Sequence, residues 1–164
     1  MLREKDAFFA SNRYMAEGSM EISIETTVNA SIEQVWAAWI TPDDIKAWNF
    51  ASDDWWCPDA KIDFEVGGQF NYRMEAKDGS MGFDFAGRFT SISPNECIEY
   101  ALDDGRKVRI DFSVSEPGTR VLETFEAEDA LSAEQQRLGW QSILNNFKQH
   151  VEAKGNPRLA PPEG

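Results

Sequence analysis

Apolar residues recur at every second position through the middle of the chain. In QFNYRMEA, Phe70, Tyr72 and Met74 fall on one side and Asn71, Arg73 and Glu75 on the other, the period of a half-buried β-strand. The same alternation runs through KIDFEV, through FDFAGRF with Phe83, Phe85 and Phe89 on one side, and through Ile98, Tyr100 and Leu102. It continues where Val108, Ile110, Phe112 and Val114 alternate with Arg109, Asp111 and Ser113, and again in RVLETFEAE. EISIETTV, residues 21–28, supplies one more strand ahead of these. Gly67-Gly68, KDGS around Asp78-Gly79, SPNE, DDGR and EPGT separate the runs with short turn signals, so successive strands pair as an antiparallel meander. Gly87, between Phe85 and Phe89, predicts a bulge or bend in a strongly curved sheet.

Three stretches switch to the helical period. In ASIEQVWAAW, Ser31 is an N-cap with Gln34 three residues on, and Val35, Trp36 and Trp39 share a face. In TPDDIKAW, Thr41 is the expected cap, Pro42 takes the first helical position, and Asp43 and Asp44 suit the positive end of the helix dipole. The last, SAEQQRLGWQSILNNFKQHVEAKG, starts with Ser132 as cap and Gln135 three on, and stops at Gly155. Its apolar stripe, Trp140, Ile143, Leu144, Phe147 and Val151, is worth about 10 kcal/mol on burial, before the cost of ordering the helix. That stripe must lie across the apolar face of the sheet. Gly139 within it predicts close approach of the helix backbone to a neighbouring strand.

The outline is α+β: a strand, two short helices, a curved antiparallel sheet of about six to seven strands in all, and one long C-terminal helix. Residues 1–19 read as a flexible extension, 20–154 as one domain and 155–164 as a Pro-rich tail. DDWWCPDA, residues 53–60, reads as a loop ahead of the second strand and places Trp55 and Trp56 side by side.

Composition narrows the function. The net charge is −13, from 29 acids against 16 bases, which excludes a phosphate-backbone or anionic-membrane surface as partner. The apolar run Ala7–Ala10 is too short for a signal-peptide core, so a cytoplasmic location is expected. Cys57 and Cys97 are expected as reduced thiols there. With one histidine and two distant cysteines no metal site is legible, and no phosphate loop or other cofactor motif is present. Arg88, Arg109, Asp84 and Asp111 fall opposite the aromatics and read as cross-strand ion pairs on the solvated side. His150, in the last turn of the long helix, suits a capping or dipole role.

ASIEQVWAAWITPDDIKAW after the first strand, VGGQFNYRMEAKDGSMGFDFAGRF in the meander, and TFEAE followed by GWQSILNNFKQHVE together resemble the START-like (SRPBCC) superfamily with its helix-grip fold. The branch they resemble is the family of the activator of Hsp-90 ATPase, over about residues 20–153. The resemblance implies a cavity between the concave sheet face and the long helix, closed at one end by the two short helices. Trp48, Trp55, Trp56, Phe70, Tyr72, Met74, Phe83, Phe85, Phe89, Trp140, Leu144 and Phe147 are then the candidates for contact with a hydrophobic or aromatic ligand. Each aromatic on that face fits a filled core as well as a hollow one. Either one of Trp55 and Trp56 fills the gap between the short helices and the sheet while the other is partly exposed, or both line or lid the cavity mouth.

The sequence shows no nucleophile–base pair. Chemistry, if any, is of the cyclase kind, with Tyr72, Tyr100 and Glu123 as candidate proton-moving groups. Glu123 points inward if it shares a face with Val121 and Phe125; in the other register Thr124 does. The alternative from a different class is a protein-interaction module, a stress-response adaptor with a chaperone as partner. The chaperone activator carries a further N-terminal domain where this chain has nineteen residues, which sets that alternative second.

Overall fold

A computed structural model describes residues 20–128 and 132–155. The expected extension at 1–19 and the tail beyond Gly155 lie outside the described residues. Seven strands form one curled antiparallel sheet: β1 (Glu21–Val28), β2 (Trp55–Ile62), β3 (Gln69–Ala76), β4 (Gly82–Ser93), β5 (Cys97–Leu102), β6 (Lys107–Ser115) and β7 (Gly118–Glu126). Their order in the sheet is β1-β7-β6-β5-β4-β3-β2, so β2 to β7 are a continuous meander and β1 closes against its last strand. Helices α1 (Ile32–Ile40) and α2 (Pro42–Trp48) follow β1, and the long helix α3 (Ala133–Gly155) comes last.

The local signals account for most of these boundaries. At α1 the capping box is complete, with Gln34 N donating to Ser31 Oγ at 3.2 Å and Ser31 N to Gln34 Oε1 at 3.0 Å. Gln135 N likewise donates to Ser132 Oγ at 3.0 Å at the start of α3. The turns at Gly67, Gly79 and Gly105 have φ of +88°, +81° and +94°, a region that glycine enters without a Cβ clash.

Five expectations are corrected. DDWWCPDA is not a loop: β2 begins at Trp55 and ends at Ile62, so the strand in this region lies earlier than KIDFEV. β2 is an edge strand and its register shifts between Trp56 and Asp59, which is where an edge tolerates Pro58. Thr41 stands at the N-cap of α2, but its hydroxyl donates back to Ala37 O at 2.6 Å, closing α1 instead. Gly87 is not the bulge; the β4 shift lies between Phe89 and Ser91. A Cβ on Gly87 would sit 2.4 Å from Ala101 O, so close passage of β5 is what requires the glycine. Around Gly139 the space is open, with nothing within 4 Å of a Cβ placed there, so no strand approaches it. Val114, expected on the apolar face, is 81% exposed at the far end of β6.

Helix α3 is held on two sides. Leu144, Phe147 and Val151 are buried against the concave sheet face and the short helices. Its polar side is not simply solvated: Arg137, Gln141 and Lys148 donate to the carbonyls of Ser23, Glu25 and Thr27 at 3.0, 3.3 and 2.7 Å. These are alternate carbonyls of the edge strand β1, so the helix covers an edge that would otherwise be open to pairing. On the convex face Arg109 pairs with Asp111 at 3.0 Å and with Glu99, and Arg73 reaches Asp84 at 3.5 Å. Arg88 has no ion-pair partner among the described residues. No helix among the described residues is long and apolar enough to cross a membrane.

Candidate functional site

Between the concave face of the sheet and α3 the aromatic side chains do not meet in the middle. They leave a partly open cavity of about 210 Å³. An apolar cavity of about 150 Å³ suffices to take up benzene, so this space admits a small ring system with a short substituent.

Each wall comes from the alternation of one element. Strand β3 contributes Tyr72 and Met74, β4 contributes Phe83, Phe85 and Phe89, β5 contributes Tyr100 and β7 contributes Glu123. Trp39 and Ile40 from α1, with Trp48 and Asn49 at the end of α2, close one end, and Trp140 and Ile143 from α3 form the roof. Ile62, Arg106 and Glu128 complete the lining. Trp140 is fixed on two sides, stacked on Phe125 with ring centroids 3.8 Å apart and edge-on to Phe85 at 5.9 Å. Trp48 is fixed by its indole N–H, which donates to Ala38 O at 3.0 Å.

The cavity thus gathers Trp48, Tyr72, Met74, Phe83, Phe85, Phe89 and Trp140 from the expected ligand contacts, with Tyr100 and Glu123. Phe70, Leu144 and Phe147 are not at its surface; they are buried in the solid part of the core. Phe147 packs against Trp39 and Trp48 at 4.8 and 4.9 Å, filling the end that the short helices cover. Trp55 lies outside the cavity against Phe83 at 5.8 Å, and Trp56 is 46% exposed at the sheet edge. Sequence reasoning missed Trp39, Ile40, Asn49, Ile62, Arg106, Glu128 and Ile143. Ile143 was on the helix stripe and Trp39 on the α1 face, so both carried a signal; Arg106 and Glu128 come from connections and carried none.

The polar groups decide what the space can do. Glu123 is only 6% exposed and points inward, the register with Val121 and Phe125. Among the described residues no donor hydrogen-bonds its carboxylate, and none bonds the Tyr72 or Tyr100 hydroxyl. Among the described residues no side-chain nitrogen or oxygen that is sealed from solvent lacks a partner, so these three polar tips open on the cavity itself. Burial pushes the Glu123 carboxyl up to about 8, and it also raises both tyrosines, with the Glu123 charge adding to the shift of Tyr100. Near neutral pH Glu123 therefore holds a proton. Arg106 is the guanidinium on the wall, and it is already engaged, 2.9 Å from Asp104 and 4.0 Å from Glu128. Asn49 turns its amide to the Met74 sulfur at 3.3 Å.

His150 and the thiols stand elsewhere. His150 Nε2 is 2.8 Å from Asp44 Oδ1, a tie between α3 and α2 rather than a helix cap. Cys57 and Cys97 are free and buried, and burial raises both thiols, Cys97 to about 11. No group of three or more His, Cys, Asp or Glu is placed to hold a metal ion among the described residues.

Comparison with known proteins agrees with the fold. Residues 29–152 match the family model described as activator of Hsp90 ATPase homolog 1-like protein. The solution structure of an AHSA1-like protein from Aeromonas hydrophila is 46% identical, the alignment covering 88% of this chain and 99% of that one, with a TM-score of 0.79. Chr148 from Cytophaga hutchinsonii is 43% identical over 87% of this chain and 97% of its own, with a TM-score of 0.72. A protein from Nitrosomonas europaea, 16% identical, reaches a TM-score of 0.72 over 82% of this chain and 95% of that one, a likeness of fold alone. No curated protein matches the chain.

Proposed function

The chain belongs to the activator of Hsp90 ATPase homolog 1-like family, and from that premise we propose that it binds a small, largely aromatic molecule between the sheet and α3. The observation that carries this reading is Glu123: a carboxyl buried without a hydrogen-bond partner, on the wall of an otherwise aromatic space. Leaving such a group unpaired costs about 1–3 kcal/mol, which a folded protein does not spend on a filled core. Tyr72, Phe85, Tyr100 and Trp140 would hold the ring of the ligand, and Glu123 its polar group. Where turnover follows binding, Glu123, Tyr72 and Tyr100 are the groups to move a proton, in a site that otherwise works by shape. The setting we propose is cytoplasmic, in keeping with two buried free thiols.

Tryptophan fluorescence tests the reading, because Trp39, Trp48 and Trp140 all line the cavity. A panel of one- and two-ring aromatics should include members that quench or shift the emission saturably. No response from any member would sink the proposal.

A second reading, a protein partner, has one observation of its own. Met81, in the β3–β4 turn, and Phe83, at the start of β4, are 63% and 50% exposed, and Phe83 meets Trp55 of β2 at 5.8 Å. An exposed apolar strip of this kind suits a protein contact. Pull-down with purified Hsp90 tests it, and absence of binding at micromolar concentrations removes it.

A further inference from the structure

We infer that the cavity is built for a small aromatic molecule that carries a basic nitrogen, an arylalkylamine in chemical class, with its ammonium on Glu123 and its ring beside Phe85, Tyr100 and Trp140. This rests on the binding reading above and narrows it.

The charge that the cavity lacks narrows the ligand. A site for a carboxylate or phosphate would present a free cation. Here the guanidinium on the wall, Arg106, is held by Asp104 at 2.9 Å and faces Glu128 at 4.0 Å. Beside the Tyr72 and Tyr100 hydroxyls, the ionisable group on the wall left without a partner among the described residues is instead an acid, Glu123, more than nine-tenths buried and open to the cavity. A buried carboxylate needs a cation or hydrogen-bond donors, and no protein donor bonds Glu123 among the described residues, so in the empty site the group keeps its proton instead. A ligand ammonium supplies both at once.

The walls favour the same partner. The faces of aromatic rings carry partial negative charge, and a cation within about 6 Å of a ring centroid gains about 0.5–2 kcal/mol, more when water is excluded. Tyr100 and Phe85 lie 6.4 Å apart at 90°, and Trp140 is edge-on to Phe85, so ring faces and edges surround the space beside Glu123. The net charge of −13 adds a long-range field that concentrates cations at the protein and repels anions.

Proton bookkeeping gives the inference a sign. With Glu123 pushed up to about 8, the empty site holds a neutral carboxyl near pH 7. A bound ammonium takes the place of that proton, which passes to solvent as the ligand enters. Affinity for an amine therefore rises with pH up to about 8. If Glu123 instead stays protonated and donates to a carbonyl oxygen of a neutral ligand, affinity is flat below that value and falls above it. The groups facing Glu123 do not blur this contrast. Tyr72 on β3 and Tyr100 on β5 are both raised above their ordinary range, and Arg106 and Glu128 face each other at the wall. The contributions from α1, α2 and α3 (Trp39, Ile40, Trp48, Asn49, Trp140, Ile143) do not titrate.

Isothermal titration calorimetry of the full chain with phenethylamine, 2-phenylethanol and phenylacetate decides the matter. Phenethylamine should bind at least roughly tenfold more tightly than the other two. Its affinity should rise up to roughly 50-fold between about pH 6 and 8, as the ionised fraction of Glu123 grows from about 1% to about 50%. Titrations in buffers of different ionisation enthalpy should show about one proton released near pH 6. In Glu123→Gln the amine should fall to the level of the alcohol; the pH series on the unaltered protein stands independently of whether that variant folds. The inference is overturned if the alcohol or the acid binds as tightly as the amine, if amine affinity falls over that pH range, or if a folded E123Q keeps the preference. If the alcohol alone binds, only the amine is wrong; if none of the three nor any other aromatic binds, the binding reading itself fails.

Discussion

Trp140 lies flat on Phe125, with ring centroids 3.8 Å apart and planes 8° from parallel. Phe125 is on β7 two residues beyond Glu123, so this stack sets how far α3 stands above the strand that carries the buried acid. The gap under the helix is thus held by a contact, not left by chance packing. Trp140→Ala should cost about 2–4 kcal/mol, reduced from a full tryptophan deletion because the ring is half-buried, while Trp140→Phe should cost less than about 1.5 kcal/mol. Urea unfolding midpoints at constant m-value check both. Equal losses in the two variants would mean that the stack does not carry the helix.

Glu123 should make the protein less stable as pH rises. Its folded value, about 8, lies above the ordinary 4.5, so the folded state binds one more proton than the unfolded state between those values. That contribution is fully present below 4.5, declines through the interval and is gone above about 8. The full change is on the order of 5 kcal/mol as an upper bound. E123Q should flatten the decline. Thermal melts from about pH 5 to 8 measure it, and identical profiles for the two proteins would contradict the burial of an ionisable group here.

Two glycines should respond in opposite directions. Gly139→Ala fills open space inside a helix and should stabilise by about 0.5–1 kcal/mol. Gly87→Ala places a methyl 2.4 Å from the Ala101 carbonyl oxygen, where β5 must shift to admit it, and should destabilise by about 1–3 kcal/mol. Chemical denaturation of the pair is the check; a stabilised Gly87→Ala would show that the two strands are not so closely apposed.

Asp44 joins the ends of the chain's helical parts. Its carboxylate accepts from His150 Nε2 and Lys154 Nζ, both at 2.8 Å, linking α2 to the last turns of α3. Burial alone would raise Asp44, but the hydrogen bonds from Lys154 and His150 outweigh it and hold the group below its usual 3.8. A lowered acid stabilises above its unfolded value and loses that contribution as pH falls through the folded one. Asp44→Asn should therefore cost about 1–3 kcal/mol at pH 6, with the difference from the unaltered protein shrinking once pH drops below 3.8. A difference that persists undiminished in acid would rule out the ionic part of this tie.

Sequence periodicity carried the sheet because each strand from β3 to β7 is buried on one face only, which writes a period of two into QFNYRMEA and its successors. It carried α1 and α3 because Ser31 and Ser132 advertise their caps. It did not carry β2. A bulge around Pro58 breaks the alternation there, and a proline on an edge strand looks like a loop when the edge is not known. The cavity was harder still. Alternation says that Phe70 and Phe85 point the same way, but only the curl of the sheet decides that Phe70 is sealed in the core and Phe85 meets open space. Arg106 and Glu128 reach the wall from connections, where no period exists to read.

Chemical-shift mapping by two-dimensional NMR tests most directly whether a small aromatic molecule enters the space under α3. Titrated with phenethylamine near pH 8, the isotopically labelled chain should show saturable shifts centred on Tyr72, Phe85, Tyr100, Glu123 and the Trp140 indole N–H, with Val114 and the β6–β7 turn unmoved. Shifts confined to the exposed β3–β4 turn around Met81, or none at millimolar ligand, would contradict the account.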